Sequence, residues 1–328
     1  MIKFIKPLTS WLRLGKRIKN FGIAYHLLPR MFTPMFESKA MVKGQTIYFE
    51  KYNKYLTRKQ MALFDGYGDL LMKFVKARGI YFLETDGERE CVGIESNGTT
   101  IKLYVNHYDN LKVIEEIFID RLYDITTDGE YVVCDVGMNV AAASLYFAGM
   151  SNIKKLYGFE PFENTFKMAS ENICLNRDLA PKIIAHNYGV GKEDGSLHVP
   201  LPVQGALGGS TTSEFLEKTI AAEASNMISV KIRDIKTIIE EVRMENPGIG
   251  IILKLDCEGA EYEILERMAD ADLISQVDIY MIEYHFKGKS SLQKILTKKN
   301  FLVMSPGDDT VSPFGMLYAI NPEFGRGN

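Results

Sequence analysis

The chain has 328 residues, of which 46% are hydrophobic and 25% charged, and a formal net charge of −3. That balance excludes wholesale disorder, and the length suffices for one large domain or two modest ones. Four cysteines (Cys91, Cys134, Cys174, Cys257) and five histidines are scattered without a C-x-x-C or H-E-x-x-H pattern. Reduced thiols, a cytoplasmic setting and no metal site are therefore expected.

The charge is unevenly spread. Residues 1–36 hold Lys3, Lys6, Arg13, Lys16, Arg17, Lys19 and Arg30 and no acid, so they carry +7 and the remainder carries −10. With Phe4, Ile5, Trp11, Leu12 and Leu14 among them, they read as a basic amphipathic arm suited to an anionic membrane surface or to nucleic acid. A solvated helix face packed on the domain explains the same pattern. Arg13, Lys16, Arg17 and Lys19 interrupt any apolar stretch of a secretory signal.

Residues 37–108 predict an α+β extension. FDGYGDLLMKFVKARG suggests a helix, and GERECVGIESNGTTIKLYVNH carries a Ser96-Asn97-Gly98 turn between two β-rich runs, a hairpin signal. Residues 109–328 predict the main domain, which opens on a helix, NLKVIEEIFIDRLYDI, with Val113, Ile117 and Leu122 at roughly helical spacing. From residue 131 strands alternate with helices, with strands expected at 131–135, 155–160, 182–187, 228–232, 251–256 and 277–283. FLVMSP and FGMLYAIN form a closing β-hairpin. Such alternation implies an α/β, doubly wound, mostly parallel sheet with helices on both faces. Residues 131–150 contain one charge, but Asp135 and Asn139 near their middle argue for a buried strand and helix rather than a membrane span.

The first strand of this region ends in CDVGMNVAAASLYFAG. A dinucleotide loop reads G-x-G-x-x-G, whereas these positions hold Gly137, Asn139 and Ala142. The asparagine side chain would intrude on a pyrophosphate, and Asp135 would repel it. S-adenosyl-L-methionine, which has an ammonium and a sulfonium and no phosphate, suits the loop better. Glu160, 23 residues after Gly137, stands where nucleotide folds place the acceptor of ribose hydroxyls. An acid beginning a helix at Pro161 is the plainer explanation of the same residue.

Together with YGFEPFENTFKMASENICLN, KIRDI, LKLDCEGAEYEIL and YMIEYH, this loop resembles the FkbM family of S-adenosylmethionine-dependent methyltransferases over about residues 109–328. The resemblance implies a class I (Rossmann-like) methyltransferase fold, S-adenosyl-L-methionine as donor, and O-methylation of a hydroxyl on a sugar or other small metabolite. It also implies that AHNYGVGKEDG, with Asn187 and Tyr188, lies at the adenine. The family's loop reads D-V-G-A-N-I-G, so Met138 and Ala141 are substitutions here. Alanine fits the glycine position if its φ stays negative.

KLDCEGAEYEIL puts Asp256 at a strand end and Glu258 and Glu261 at a helix start. Capping of the helix accounts for Glu261. A charge at the end of an apolar strand points instead to the ligand crevice, with Lys254 on the same side as a partner for Asp256. Glu283 and His285 end the next strand, two residues apart. Methyl transfer to a hydroxyl needs a base, for which Asp256 and His285 are candidates beside Glu258. Asp135, Gly137, Asn139, Glu160, Asn187 and Asp256 are the expected cofactor-binding residues. The expected acceptor is a glycan or small-molecule hydroxyl. RNA methylation using the basic arm, and a degenerate binding or scaffold member, are the alternatives.

Overall fold

A computed structural model of the chain describes residues 40–43, 46–65, 67–85, 89–127, 129–200, 227–306 and 312–322. The basic arm at 1–36 lies outside the described residues. The chain divides into two compact units, one ending at Leu122 and the other beginning at Tyr123.

In the first unit β1 (Ala40–Lys43), β2 (Thr46–Phe49) and β3 (Lys54–Thr57) form one antiparallel sheet. Helix α1 (Arg58–Ala62) starts from a capping box in which Thr57 and Gln60 satisfy each other's backbone N–H groups. Helix α2 (Gly68–Lys76) is the one expected from FDGYGDLLMKFVKARG. Its C-terminal end is closed by the Lys54 ammonium, which donates to the carbonyls of Phe74, Ala77 and Ile80. A second antiparallel sheet contains β4 (Ile80–Leu83), β5 (Glu90–Ser96) and β6 (Thr99–Val105). Ser96 pairs with Thr99, and Asn97 and Gly98 both have positive φ (50° and 77°), the type I′ geometry that the Asn-Gly pair predicts. Helix α3 (Tyr108–Ile114) runs into a π turn at Glu115–Ile119 and stops sooner than expected. Ile117 and Leu122 are five residues apart, more than an α-helical turn allows. The wider turn, with Asp120 N–H donating to Glu115 O, absorbs the excess.

The second unit is built on a seven-stranded sheet of β7 (Tyr131–Val136), β8 (Ile153–Phe159), β9 (Ile183–His186), β13 (Gly250–Leu255), β14 (Ile279–Tyr284), β15 (Leu302–Met304) and β16 (Gly315–Ile320). The spatial order is β15-β16-β14-β13-β7-β8-β9, and only β16 runs against the rest. This is the doubly wound class I methyltransferase arrangement expected, with the closing hairpin as its antiparallel member. Chain order reverses between β7 and β13, so the crevice at their carboxyl ends is the place for a ligand.

Every residue of β7 and β13 is buried, as strands covered on both faces must be. One face packs Val132, Cys134 and Leu253 against Ile238 and Ile239 of α6 (Ile235–Glu245), Ile264, Leu265 and Met268 of α7 (Glu261–Asp270), and Leu292 and Leu296 of α8 (Ser290–Lys298). On the other face lie α4 (Ala142–Ala148) and α5 (Glu163–Leu175), where Met138 and Ala141 pack on Ala169 and Ile173.

One expected member of this sheet is elsewhere. The strand predicted at 228–232 is β12 (Met227–Asp234). It pairs with β10 (Gly189–Gly191) and β11 (Gly195–Pro200) in a separate three-stranded sheet. Its buried and open positions alternate over Ser229–Ile232, which suits a sheet with one wet face rather than a slot between two helix layers.

Candidate active site

The turn after β7 is held from both neighbouring strands. Gly137 and Met138 N–H groups both donate to Phe159 O at the end of β8, and Asp256 N–H donates to Val136 O across from β13. Gly137 has φ +80°, and a Cβ there would stand 1.7 Å from the Asp256 carbonyl oxygen, so no side chain fits. Met138 takes the slot that Gly158 leaves open, since a Cβ on Gly158 would come within 2.3 Å of the methionine sulfur.

Ala141 departs from expectation. Its φ is +65°, not negative. A left-handed alanine costs about 1–2 kcal/mol that glycine would not, against about 0.8 kcal/mol for withdrawing its buried methyl. Ala141→Gly should therefore stabilise the protein by up to about 1 kcal/mol in urea denaturation; a loss of stability would show that the methyl contributes more than the strain costs.

Asp135 and Lys254 are directly opposed in the β7–β13 register, and both are buried. The ammonium lies 2.9 Å from Asp135 Oδ1 and 3.5 Å from Asp256 Oδ2, and it donates to Gly137 O at 3.1 Å. Burial alone would lower the lysine pKa, but Asp135 and Asp256 outweigh it and hold Lys254 above the usual lysine range. Asp135 also accepts from Ser144 Oγ at 2.7 Å. With both oxygens engaged beneath the turn, Asp135 supports the loop from below instead of presenting a carboxylate to a ligand.

Glu160 closes the loop from the β8 side. Its Oε2 accepts from Asn139 N–H at 3.0 Å and its Oε1 from Phe162 N–H, the cap of α5, at 2.9 Å. Glu160 thus pins both the glycine turn and the residue that leads into α5. Burial pushes its carboxyl up to about 8, against the pull of these two N–H donors. Asn187, after β9, spends its amide N–H groups on Glu160 O and Pro161 O, which fixes the same corner. Asn139 Oδ1 is buried and has no hydrogen-bond partner among the described residues. Gly137, Asn139, Glu160 and Asn187 are therefore brought together.

The third group follows β13. Asp256 and Glu258 remain partly open, with 29% and 42% of their side chains exposed. Glu258 has φ +54° and leads into Gly259 at φ +108°, a left-handed step before α7 that a non-glycine residue keeps where its surroundings require it. Burial raises the Glu258 pKa, although nearby His285 draws it down. His285 Nε2 is 3.9 Å from Glu258, and its Nδ1 is 3.2 Å from Glu261 Oε1. Burial by itself would lower the His285 pKa, but Glu261, Glu258 and Asp256 together push it up to about 9. Glu261 is wholly buried and accepts from the N–H groups of Gly259 (2.8 Å) and His285 (2.6 Å). The expectation of a simple helix-capping acid needs correction: Glu261 joins the β13 loop to the end of β14.

Residues 135–302 match the model of the methyltransferase FkbM domain. The chain belongs to that family. The family's cofactor is S-adenosyl-L-methionine. A region of the AMB antimetabolite synthetase AmbE of Pseudomonas aeruginosa is 26% identical over 210 residues, 53% of this chain but 9% of that protein, so the chain spans a small part of the curated relative it matches. Among solved structures, methyltransferase FkbM from Methylobacillus flagellatus KT is 15% identical, covering 61% of this chain and 45% of that one, at TM-score 0.40. TrmK of M. capricolum in complex with S-adenosyl-homocysteine is 13% identical, covering 62% and 66%, at TM-score 0.35. M. jannaschii TYW2 in complex with AdoMet is 13% identical, covering 74% and 92%, at TM-score 0.36. Among the described residues no helix is long and apolar enough to cross a membrane.

Proposed function

We propose that the protein transfers the methyl group of S-adenosyl-L-methionine to a hydroxyl of a glycan or small metabolite. The observation that carries this reading is the pair of partly open carboxylates, Asp256 and Glu258, set beside the glycine turn at the point where sheet order reverses. The corner around Gly137 fits the donor. Glu160 has spare lone pairs for ribose hydroxyls, and Asn139 Oδ1 is an unspent acceptor in the same turn.

When bound, S-adenosyl-L-methionine supplies the methyl group as an electrophile on a positively charged sulfur. Glu258 takes the acceptor's hydroxyl proton. Its raised pKa makes it a better base near neutrality than an ordinary carboxylate. Asp256, neutralised in part by Lys254, accepts a hydrogen bond that orients the acceptor. His285 is protonated near neutral pH and cannot accept that proton. It steadies Glu258, with Glu261 behind it.

Calorimetry with S-adenosylhomocysteine tests the donor half, and NAD binding in its place would overturn it. Glu160→Ala should weaken binding by about 1.5–3 kcal/mol, the scale of a hydrogen bond to a charged group. The wild-type affinity should also depend on pH. Ribose hydroxyls favour the ionised carboxylate, and ionisation in the free protein is complete only above about pH 8. Binding should therefore tighten as pH rises toward 8 and release a proton at pH 7, visible as a buffer-dependent enthalpy. The pH dependence should vanish in Glu160→Gln.

A further inference from the structure

Next to this site stand two aromatic side chains that the chemistry above does not use. Phe286 follows β14 and Phe314 precedes β16. Pairing of Tyr284 with Gly315 at the end of the β14–β16 ladder brings the two rings side by side, their centroids 5.4 Å apart and their planes at 72°. Gly315 is needed for this, because a Cβ there would fall 2.5 Å from the Tyr284 hydroxyl. The two residues are 40% and 49% exposed. Both lie against the His285 imidazole, at 6.0 and 6.1 Å between centroids, and that imidazole faces Glu258. Phe286 is also held at φ +69°, a left-handed conformation that a bulky side chain rarely adopts and that is kept where the surroundings or a function require it.

We propose that Phe286 and Phe314 form the platform on which the methyl acceptor lies, and that the acceptor is a saccharide ring. The inference rests on the methyl-transfer reading above and adds the residues that select the acceptor. Phenylalanine has no polar atom to offer, so what covers these rings must present an apolar face. What reaches past them to Asp256 and Glu258 must present hydroxyl donors, since a wholly apolar ligand would strip water from two carboxylates without replacing it. A pyranose has both: a face of axial C–H bonds and a rim of several hydroxyls. A phenol supplies one hydroxyl for two carboxylates. A nucleic-acid strand would bring phosphates against them.

The test uses the full chain saturated with S-adenosylhomocysteine and titrated with methyl β-D-glucopyranoside, methyl α-D-mannopyranoside and methyl α-L-rhamnopyranoside. Phenol and an oligouridylate are the competing probes, and saturation-transfer NMR is the readout. At least one glycoside should receive saturation at its axial ring protons. Phe314→Ala should weaken its binding by about three- to tenfold, and Phe314→Trp should keep it. Phe286→Gly relieves the backbone, so its melting temperature should hold or rise while glycoside binding falls. Failure to bind S-adenosylhomocysteine overturns the methyl-transfer reading and this one with it. With S-adenosylhomocysteine bound, this inference alone is overturned by saturation of phenol or RNA but no glycoside, by silence from all probes, or by unchanged glycoside binding in Phe314→Ala.

Discussion

Lys254→Met is expected to destabilise the protein by about 3–5 kcal/mol, the scale of removing one partner from a buried ion pair. The ammonium is the charge that Asp135 faces at 2.9 Å, and neither side chain reaches solvent. Without it, a carboxylate remains among apolar strands, with only the Ser144 hydroxyl to accompany it. The double variant Asp135→Asn, Lys254→Met removes both charges and should recover most of the loss. Urea denaturation of the two single variants and the double variant closes the cycle. Roughly additive losses, with no recovery in the double variant, would mean that the pair does not act as a unit. Because Lys254 also donates to Gly137 O, the double variant should bind S-adenosylhomocysteine less well even where its stability is restored.

Glu258→Gln should lower kcat by about 10²–10⁴-fold while leaving the dissociation constant of S-adenosylhomocysteine nearly unchanged, as expected for loss of a general base. The acceptor for the assay comes from a radiolabelled methyl-transfer screen of glycan, polar-lipid and RNA extracts. In the wild type kcat should fall on the acid side as Glu258 takes up a proton. That limb should lie above the ordinary glutamate range, because burial raises this carboxyl, and should disappear in Glu258→Gln. Asp256→Asn should act mainly on KM, through the lost orienting acceptor. Near-full turnover in Glu258→Gln together with a collapsed kcat in Asp256→Asn would transfer the base to Asp256.

Much of this was legible in the sequence, for reasons that differ from one element to the next. The largely apolar runs of β7 and β13, each broken by one charge, announce strands covered on both faces, and Asn97-Gly98 announces its turn, because in each case the signal is local. The Asp135–Lys254 contact was harder to see. It depends on two strands more than a hundred residues apart becoming neighbours in register, and the sequence offered Asp256 as the lysine's nearer partner in the chain. Glu261 looked like a helix cap because it begins α7, while the His285 that makes it a buried anchor arrives from β14. The left-handed Ala141 was signalled only by the glycine that the family has there, and the methyl in its place argued for a negative φ. Phe286 and Phe314 drew no expectation from the sequence. Only the ladder between β14 and an antiparallel β16 reveals that they meet in the open.

Met138 and Gly158 carry a consequence for how this loop can change over time. The sulfur of one occupies the room that the other leaves by lacking a side chain. Shortening Met138 to the family's alanine opens a void under the cofactor turn, and enlarging Gly158 drives a methyl into the thioether. Either step alone passes through a worse protein, whereas both together exchange one filled volume for another. The two positions, one in the first loop and one near the end of the neighbouring strand, should thus be inherited as a single character. A lineage that regains alanine at the first would be found with a larger residue at the second.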